Sequence, residues 1–89
     1  MNTSLDDTLN AIGRRIREIR RQKGETQESL SAKIAMLAPN FAKIEQGRTN
    51  PTIETLLRIA DGLEVELAEL FRRPQTARAK PGRPPKSEL

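Results

Sequence analysis

The 89-residue sequence contains no cysteine, histidine, tryptophan or tyrosine, and phenylalanine occurs only twice. Without cysteine no disulfide can form, and without cysteine or histidine the usual structural zinc sites are excluded. The commonest general base and any thiol nucleophile are missing as well. No nucleophile–base pair or metal cluster can be assembled, so the expectation is a protein with no catalytic residue, no metal and no cofactor. Long hydrophobic runs are also lacking: nothing approaches the roughly 20 apolar residues that a membrane-spanning helix needs. The start, Met1-Asn2-Thr3-Ser4-Leu5-Asp6-Asp7, is polar and acidic, whereas a secretory leader begins basic and turns apolar. A cytoplasmic protein with no membrane partner is expected. Its length suits one domain, since domains commonly run to about 100–150 residues, and leaves no room for a module that senses a small-molecule effector.

What is present is charge, unevenly placed. Residues 1–24 carry six Lys and Arg against three acids, residues 25–71 carry four against eight, and residues 72–89 carry six against one. The net charge of +4 is unremarkable by itself. Two basic zones flanking an acidic middle are more telling, because binding to phosphates requires localised positive charge rather than a high average.

Apolar periodicity predicts helices and no strands. Leu5, Leu9, Ile12, Ile16 and Ile19 recur at spacings of three and four, one face of a first helix, with Ser4 or Asp6 as its cap and Gly24 at its close. The opposite face carries Arg14, Arg15, Arg17 and Arg21. Thr26 caps a short second helix whose apolar side is Leu30 and Ile34. Ala35-Met36-Leu37 reads as a tight connection with Met36 turned inward. A third helix takes Pro39 in its first turn, where a missing N–H costs nothing, buries Phe41 and Ile44, and stops at Gly47. Thr52 caps a fourth helix with a stripe of Ile53, Leu56, Leu57, Ala60 and Leu63, and Gly62 is a mild breaker near its end. A fifth helix from about Glu66 contributes Leu67, Leu70 and Phe71. The expected fold class is all-α: a compact five-helix domain over residues 5–73, then a basic, Pro-rich segment over 74–89 with no apolar stripe and no means of offsetting its ordering entropy, hence a flexible tail.

The stretch Thr26-Gln27-Glu28-Ser29-Leu30, through Phe41-Ala42-Lys43-Ile44-Glu45-Gln46-Gly47, to Asn50-Pro51-Thr52 resembles the lambda-repressor and Cro-like helix-turn-helix family over roughly residues 9–71. Arg20, Gly24, Leu56, Ala60, Leu63 and Leu70 match in the same register. Three positions depart from the family pattern: Ala35 stands where a Gly is usual in the turn, Leu37 where a Ser caps the recognition helix, and Ser31 where the scaffold helix has Ala. The resemblance implies a sequence-specific transcriptional regulator, a repressor or autoregulatory controller, that binds a palindromic operator in double-stranded DNA as a homodimer in the bacterial cytoplasm and nucleoid. Small members of this kind include phage-type repressors and restriction–modification controller proteins. The other class weighed is an antitoxin-like protein that binds a toxin as well as DNA.

The major groove is about 12 Å wide and admits a helix, whose N-terminal residues then meet base edges. Those residues here are Ala38, Pro39 and Asn40, with Ala42 and Lys43 one turn on. Asn40 suits adenine and Lys43 suits guanine or a phosphate, while the alanines and Pro39 offer only apolar contact. For Asn40 the alternative is a first-turn residue satisfying backbone, and for Lys43 a solvated charge. By resemblance, Gln27, Arg48, Thr49 and Asn50 meet the phosphate backbone, which positions the protein without reading sequence. Arg20 and Glu45 match a family pair that bridges the first and third helices, with Arg20 placed near a phosphate as well. Leu67, Leu70 and Phe71 are candidates for the dimer interface, to be divided between it and the core. Lys80-Pro81-Gly82-Arg83-Pro84-Pro85-Lys86 resembles an AT-hook in which Arg83 enters a minor groove, although Pro81 replaces the usual Arg; a generic basic tail is the other reading.

Overall fold

A computed structural model of the chain describes residues 4–75, so Arg83 and the AT-hook-like segment lie outside the described residues. Four α-helices follow one another, α1 (Leu5–Gln22), α2 (Gln27–Lys33), α3 (Ala38–Glu45) and α4 (Ile53–Leu63), and a short 3₁₀ helix, Leu67–Phe71, closes the domain. No strand occurs among the described residues. Among the described residues the fold is all-α as expected, but the fifth element is a single 3₁₀ segment and the α-helices number four. Leu67 and Leu70 stand three apart, the spacing that a 3₁₀ turn aligns on one side. No described helix is long and apolar enough to cross a membrane.

Local chemistry sets the helix boundaries. Ser4 Oγ accepts from the Asp7 N–H at 3.0 Å, making Ser4 the cap of α1. Thr26 and Ser29 form a reciprocal capping box at the head of α2, each hydroxyl accepting from the other's N–H at 2.9 Å. Thr52 Oγ1 accepts from the Thr55 N–H at 3.1 Å and starts α4. The chain leaves α1 and α3 through left-handed glycines, Gly24 at φ 76° and Gly47 at φ 72°. Glu25 accepts from Lys33 and from the Ser29 hydroxyl, which holds its carboxyl below the usual carboxylate range.

The core joins α1, α2, α3, α4 and the 3₁₀ helix through Ile12, Ile16, Ile19, Leu30, Ile34, Phe41, Ile44, Leu56, Ile59, Ala60, Leu63 and Leu70, with Met36 and Leu67 packed against its edge. Several expected positions differ. Leu5, Ile53 and Leu57 belong to the expected apolar stripes yet are exposed: Leu5 is the first residue of α1, and Ile53 and Leu57 lie on the flank of α4, whose buried face is Leu56, Ile59, Ala60 and Leu63. Arg15, expected on the solvent side, is buried: its guanidinium donates to Glu18 Oε1 at 2.7 Å, and to Glu69 Oε1 and the Glu69 carbonyl at 2.9 Å. It thereby ties the 3₁₀ helix to α1. Gly62 is no breaker. It lies inside α4, where a Cβ would stand 2.5 Å from Ile34 Cγ2, so it lets α4 approach α2.

The departure at Ala35 has a backbone consequence. Ala35 adopts φ 57°, the left-handed region that the more usual Gly enters freely. The Arg58 guanidinium holds the turn by donating to the carbonyls of Ile34 at 2.5 Å and Ala35 at 3.1 Å. Left-handed geometry costs a non-glycine residue about 1–2 kcal/mol, and the extra flexibility of an unfolded glycine offsets about 0.5–1 kcal/mol of that. Ala35→Gly is therefore expected to stabilise the domain by about 0.5–1 kcal/mol. The check is the urea midpoint, which should rise with an unchanged m-value.

Candidate nucleic-acid interface

The third helix is held from behind by a buried polar brace. Arg20 of α1 donates through Nε to Glu45 Oε2 at 2.6 Å and through Nη2 to Glu45 Oε1 at 3.1 Å. Its Nη1 donates to the Glu25 carbonyl at 2.8 Å. Side-chain exposure is 8% for Arg20 and 2% for Glu45, so the pair is shielded from water. Gln27, at the head of α2, donates through Nε2 to Glu45 Oε1 at 2.9 Å. One carboxylate thus receives donors from α1 and α2 and fixes α3 to both. The phosphate role assigned to Arg20 does not survive: its guanidinium is buried and committed to Glu45 and the Glu25 carbonyl. Gln27 keeps partial exposure beside its bracing bond.

The opposite side of α3 is open. Pro39, Asn40 and Lys43 are exposed, and Ala38 and Ala42 are half-buried between that face and the core side formed by Phe41, Ile44 and Glu45. The helix begins at Ala38 with Pro39 in its first turn and Leu37 as its cap residue, and no side chain bonds the first N–H groups. Beyond Gly47, Arg48 and Asn50 are exposed and Thr49 is half-buried. Arg48 Nη1 donates to Gln46 Oε1 at 3.2 Å. The fold therefore brings the five expected base-reading residues onto one short helix, with three of the expected phosphate residues in the loop that follows.

Among the proposed dimer residues, Leu70 is fully buried and belongs to the core, so it cannot serve an interface in this fold. Leu67 is half-buried against the core edge, and Phe71 is 50% exposed.

The family model described as a helix-turn-helix domain matches residues 11–72. The chain belongs to the helix-turn-helix family of DNA-binding transcriptional regulators. An uncharacterized HTH-type transcriptional regulator of Sinorhizobium fredii is 36% identical over 64 residues, covering 72% of this chain and 83% of that protein. Among solved structures, the restriction-modification controller protein C.AhdI from Aeromonas hydrophila superposes with a TM-score of 0.70 at 33% identity, covering 71% of this chain and 96% of that one. The controller protein C.Esp1396I, solved as a tetramer in complex with its natural 35-base-pair operator, gives a TM-score of 0.67 at 34% identity over 79% of this chain and 88% of that chain.

Two parts of the helix-turn-helix unit escaped the sequence reading. Arg58, which supports the turn between α2 and α3, sits at a helix position that periodicity assigns to solvent, and nothing in the sequence marks its carbonyl partners. The missing cap at Leu37 is legible in the sequence, but its exposure is not. Its exposure of 70%, the highest among the described large apolar residues, depends on how α3 stands off the body of the domain.

Proposed function

We propose that the protein regulates transcription by inserting α3 into the major groove of a palindromic operator as a homodimer, acting as a repressor or an autoregulatory controller. The observation that carries this reading is the exposed face of Pro39, Asn40 and Lys43, fixed from behind by the buried Arg20–Glu45–Gln27 brace. A rigidly mounted polar face can hold base-edge geometry, whereas a loop cannot hold it as well. Asn40 and Lys43 read bases, Ala38, Pro39 and Ala42 supply apolar contact, and Gln27, Arg48, Thr49 and Asn50 engage phosphates. The exposed Ile53, Leu57 and Phe71, with the half-buried Leu67, offer apolar surface for a second copy. The likeness to a controller protein solved on its operator supports this assignment.

The test is a mobility shift on duplex DNA from upstream of the gene, against random duplex. Lys43→Ala and Asn40→Ala should each lose about 1–3 kcal/mol on the cognate duplex and little on random DNA. Arg48→Ala should weaken both alike and reduce the salt slope by about one. Equal loss on both duplexes for all three variants would remove base reading from α3.

A further inference from the structure

Leu37 is the most exposed large apolar side chain among the described residues, and it stands at the head of the helix proposed to enter the groove. Its backbone is fully employed there: the Leu37 carbonyl accepts the first intrahelical bond, from the Phe41 N–H at 3.0 Å. Its side chain has no such employment. It gives α3 no cap, since it has no oxygen to receive a free N–H. Nor does it anchor the entry to α3, because its neighbour Met36 is the residue that packs against the core. A serine at this position would cap the helix, so the leucine forgoes local stability and leaves apolar surface facing outward.

We infer that Leu37 is a specificity-determining residue that reads the C5 methyl group of a pyrimidine, in the first instance thymine, at the edge of the α3 contact. This rests on the groove-insertion reading above. The chemistry leaves few alternatives within a major groove. Phosphates and base-edge donors or acceptors gain nothing from a leucine, and the C5 methyl is the apolar group that a base pair presents there. Leu37 adjoins Ala38 and Pro39, neither of which carries a side-chain donor or acceptor. The start of α3 is thus apolar over three residues, and Asn40 and Lys43 carry the polar reading further along. The preferred half-site accordingly has a thymine, or a 5-methylcytosine presenting the same group, next to the base pairs read by Asn40 and Lys43.

The experiment starts from a randomised 40-base-pair duplex library, from which the full-length protein selects its preferred sites. Each thymine of a selected site is then replaced by deoxyuridine, which removes only the methyl group. Wild type should bind about fourfold more weakly at the position met by Leu37 in each half-site, the order of effect of a single buried methyl. At that position, and not at thymines met by Ala38, Pro39 or Ala42, Leu37→Ala and Leu37→Ser should bind the thymine and deoxyuridine duplexes equally, and Leu37→Ser should also melt at a higher temperature than wild type because it restores the cap. A gain from 5-methyl-deoxycytidine over deoxycytidine at that position would show that the methyl suffices, and no gain would count against a reading of the methyl. Wild-type indifference to deoxyuridine at every position, or an undiminished preference in Leu37→Ala, would overturn the inference while leaving groove insertion standing. A library that yields no enriched sequence would overturn groove insertion itself, and this inference with it.

Discussion

Replacing Glu45 by alanine is expected to cost the domain about 3–5 kcal/mol, the largest loss from any single polar change considered. The variant leaves the Arg20 guanidinium, 8% exposed, inside the protein with two of its donors unpaired. Gln27 loses its acceptor at the same time. Domains of this size are stable by roughly 5–15 kcal/mol, so Glu45→Ala should fall near the limit of folding at physiological temperature. Urea unfolding followed by circular dichroism measures the change. The double variant Arg20→Met with Glu45→Leu should recover much of the loss, since it removes both buried charges together with the cost of desolvating them. A Glu45→Ala penalty below about 1 kcal/mol, the range of exposed ion pairs, would show that the brace is solvated in solution.

The second large effect is steric. A Cβ built on Gly13 lies 2.4 Å from the Glu45 carbonyl oxygen and 2.5 Å from that of Ile44, so α1 meets the backbone of α3 directly. Gly13→Ala should gain about 1 kcal/mol from helix propensity. Against this, backbone atoms cannot rotate aside as a side chain can, and overpacking costs about 1–3 kcal/mol or more when the helices must separate. The clash wins, and net destabilisation of about 1–2 kcal/mol is expected. Because the strain falls on the last turn of α3, affinity for operator DNA should drop in protein that is still folded. Gly24→Ala is the control: nothing lies within 4 Å of its Cβ, and only the φ of 76° penalises it. It should therefore lower stability without altering DNA affinity. A Gly13→Ala variant as stable as wild type would mean that α1 and α3 are not in backbone contact.

Both predictions concern the mounting of α3 rather than its exposed face, and the two were unequally legible in the sequence. The Arg20–Glu45 bridge was expected from the helix-turn-helix resemblance. The sequence holds no sign that the brace seals Arg20 from solvent, because burial depends on α1, α2 and α3 closing around it. Arg15 is a different case: assigned to the solvent face with Arg14 and Arg17, it stands one turn from both Ile12 and Ile19, on the flank of the apolar stripe, and it is drawn inside by Glu69, 54 positions away. Leu67, Leu70 and Phe71 were candidates for the interface, to be divided between it and the core, and three neighbouring apolar residues carry no label for which goes inside. The packing of the 3₁₀ helix on α1 and α4 gave Leu70 to the core and left Phe71 outside.

The sequence by itself determined, to within a residue or two, where the four described α-helices begin and end. Ser4, Thr26 and Thr52 cap, Gly24 and Gly47 stop, and Pro39 marks a first turn, all through interactions within a few residues that any surroundings would permit. The proposed Asn40–Lys43 reading face followed instead from the helix-turn-helix resemblance. Only the tertiary structure decided that Arg20 is buried, that the last helix is a 3₁₀ turn, that Ile53 and Leu57 remain uncovered, and that Leu37 projects from the head of α3. Capping and periodicity are short-range and written in neighbouring residues. Burial is a relation between segments distant in the chain, and it is fixed only once they pack.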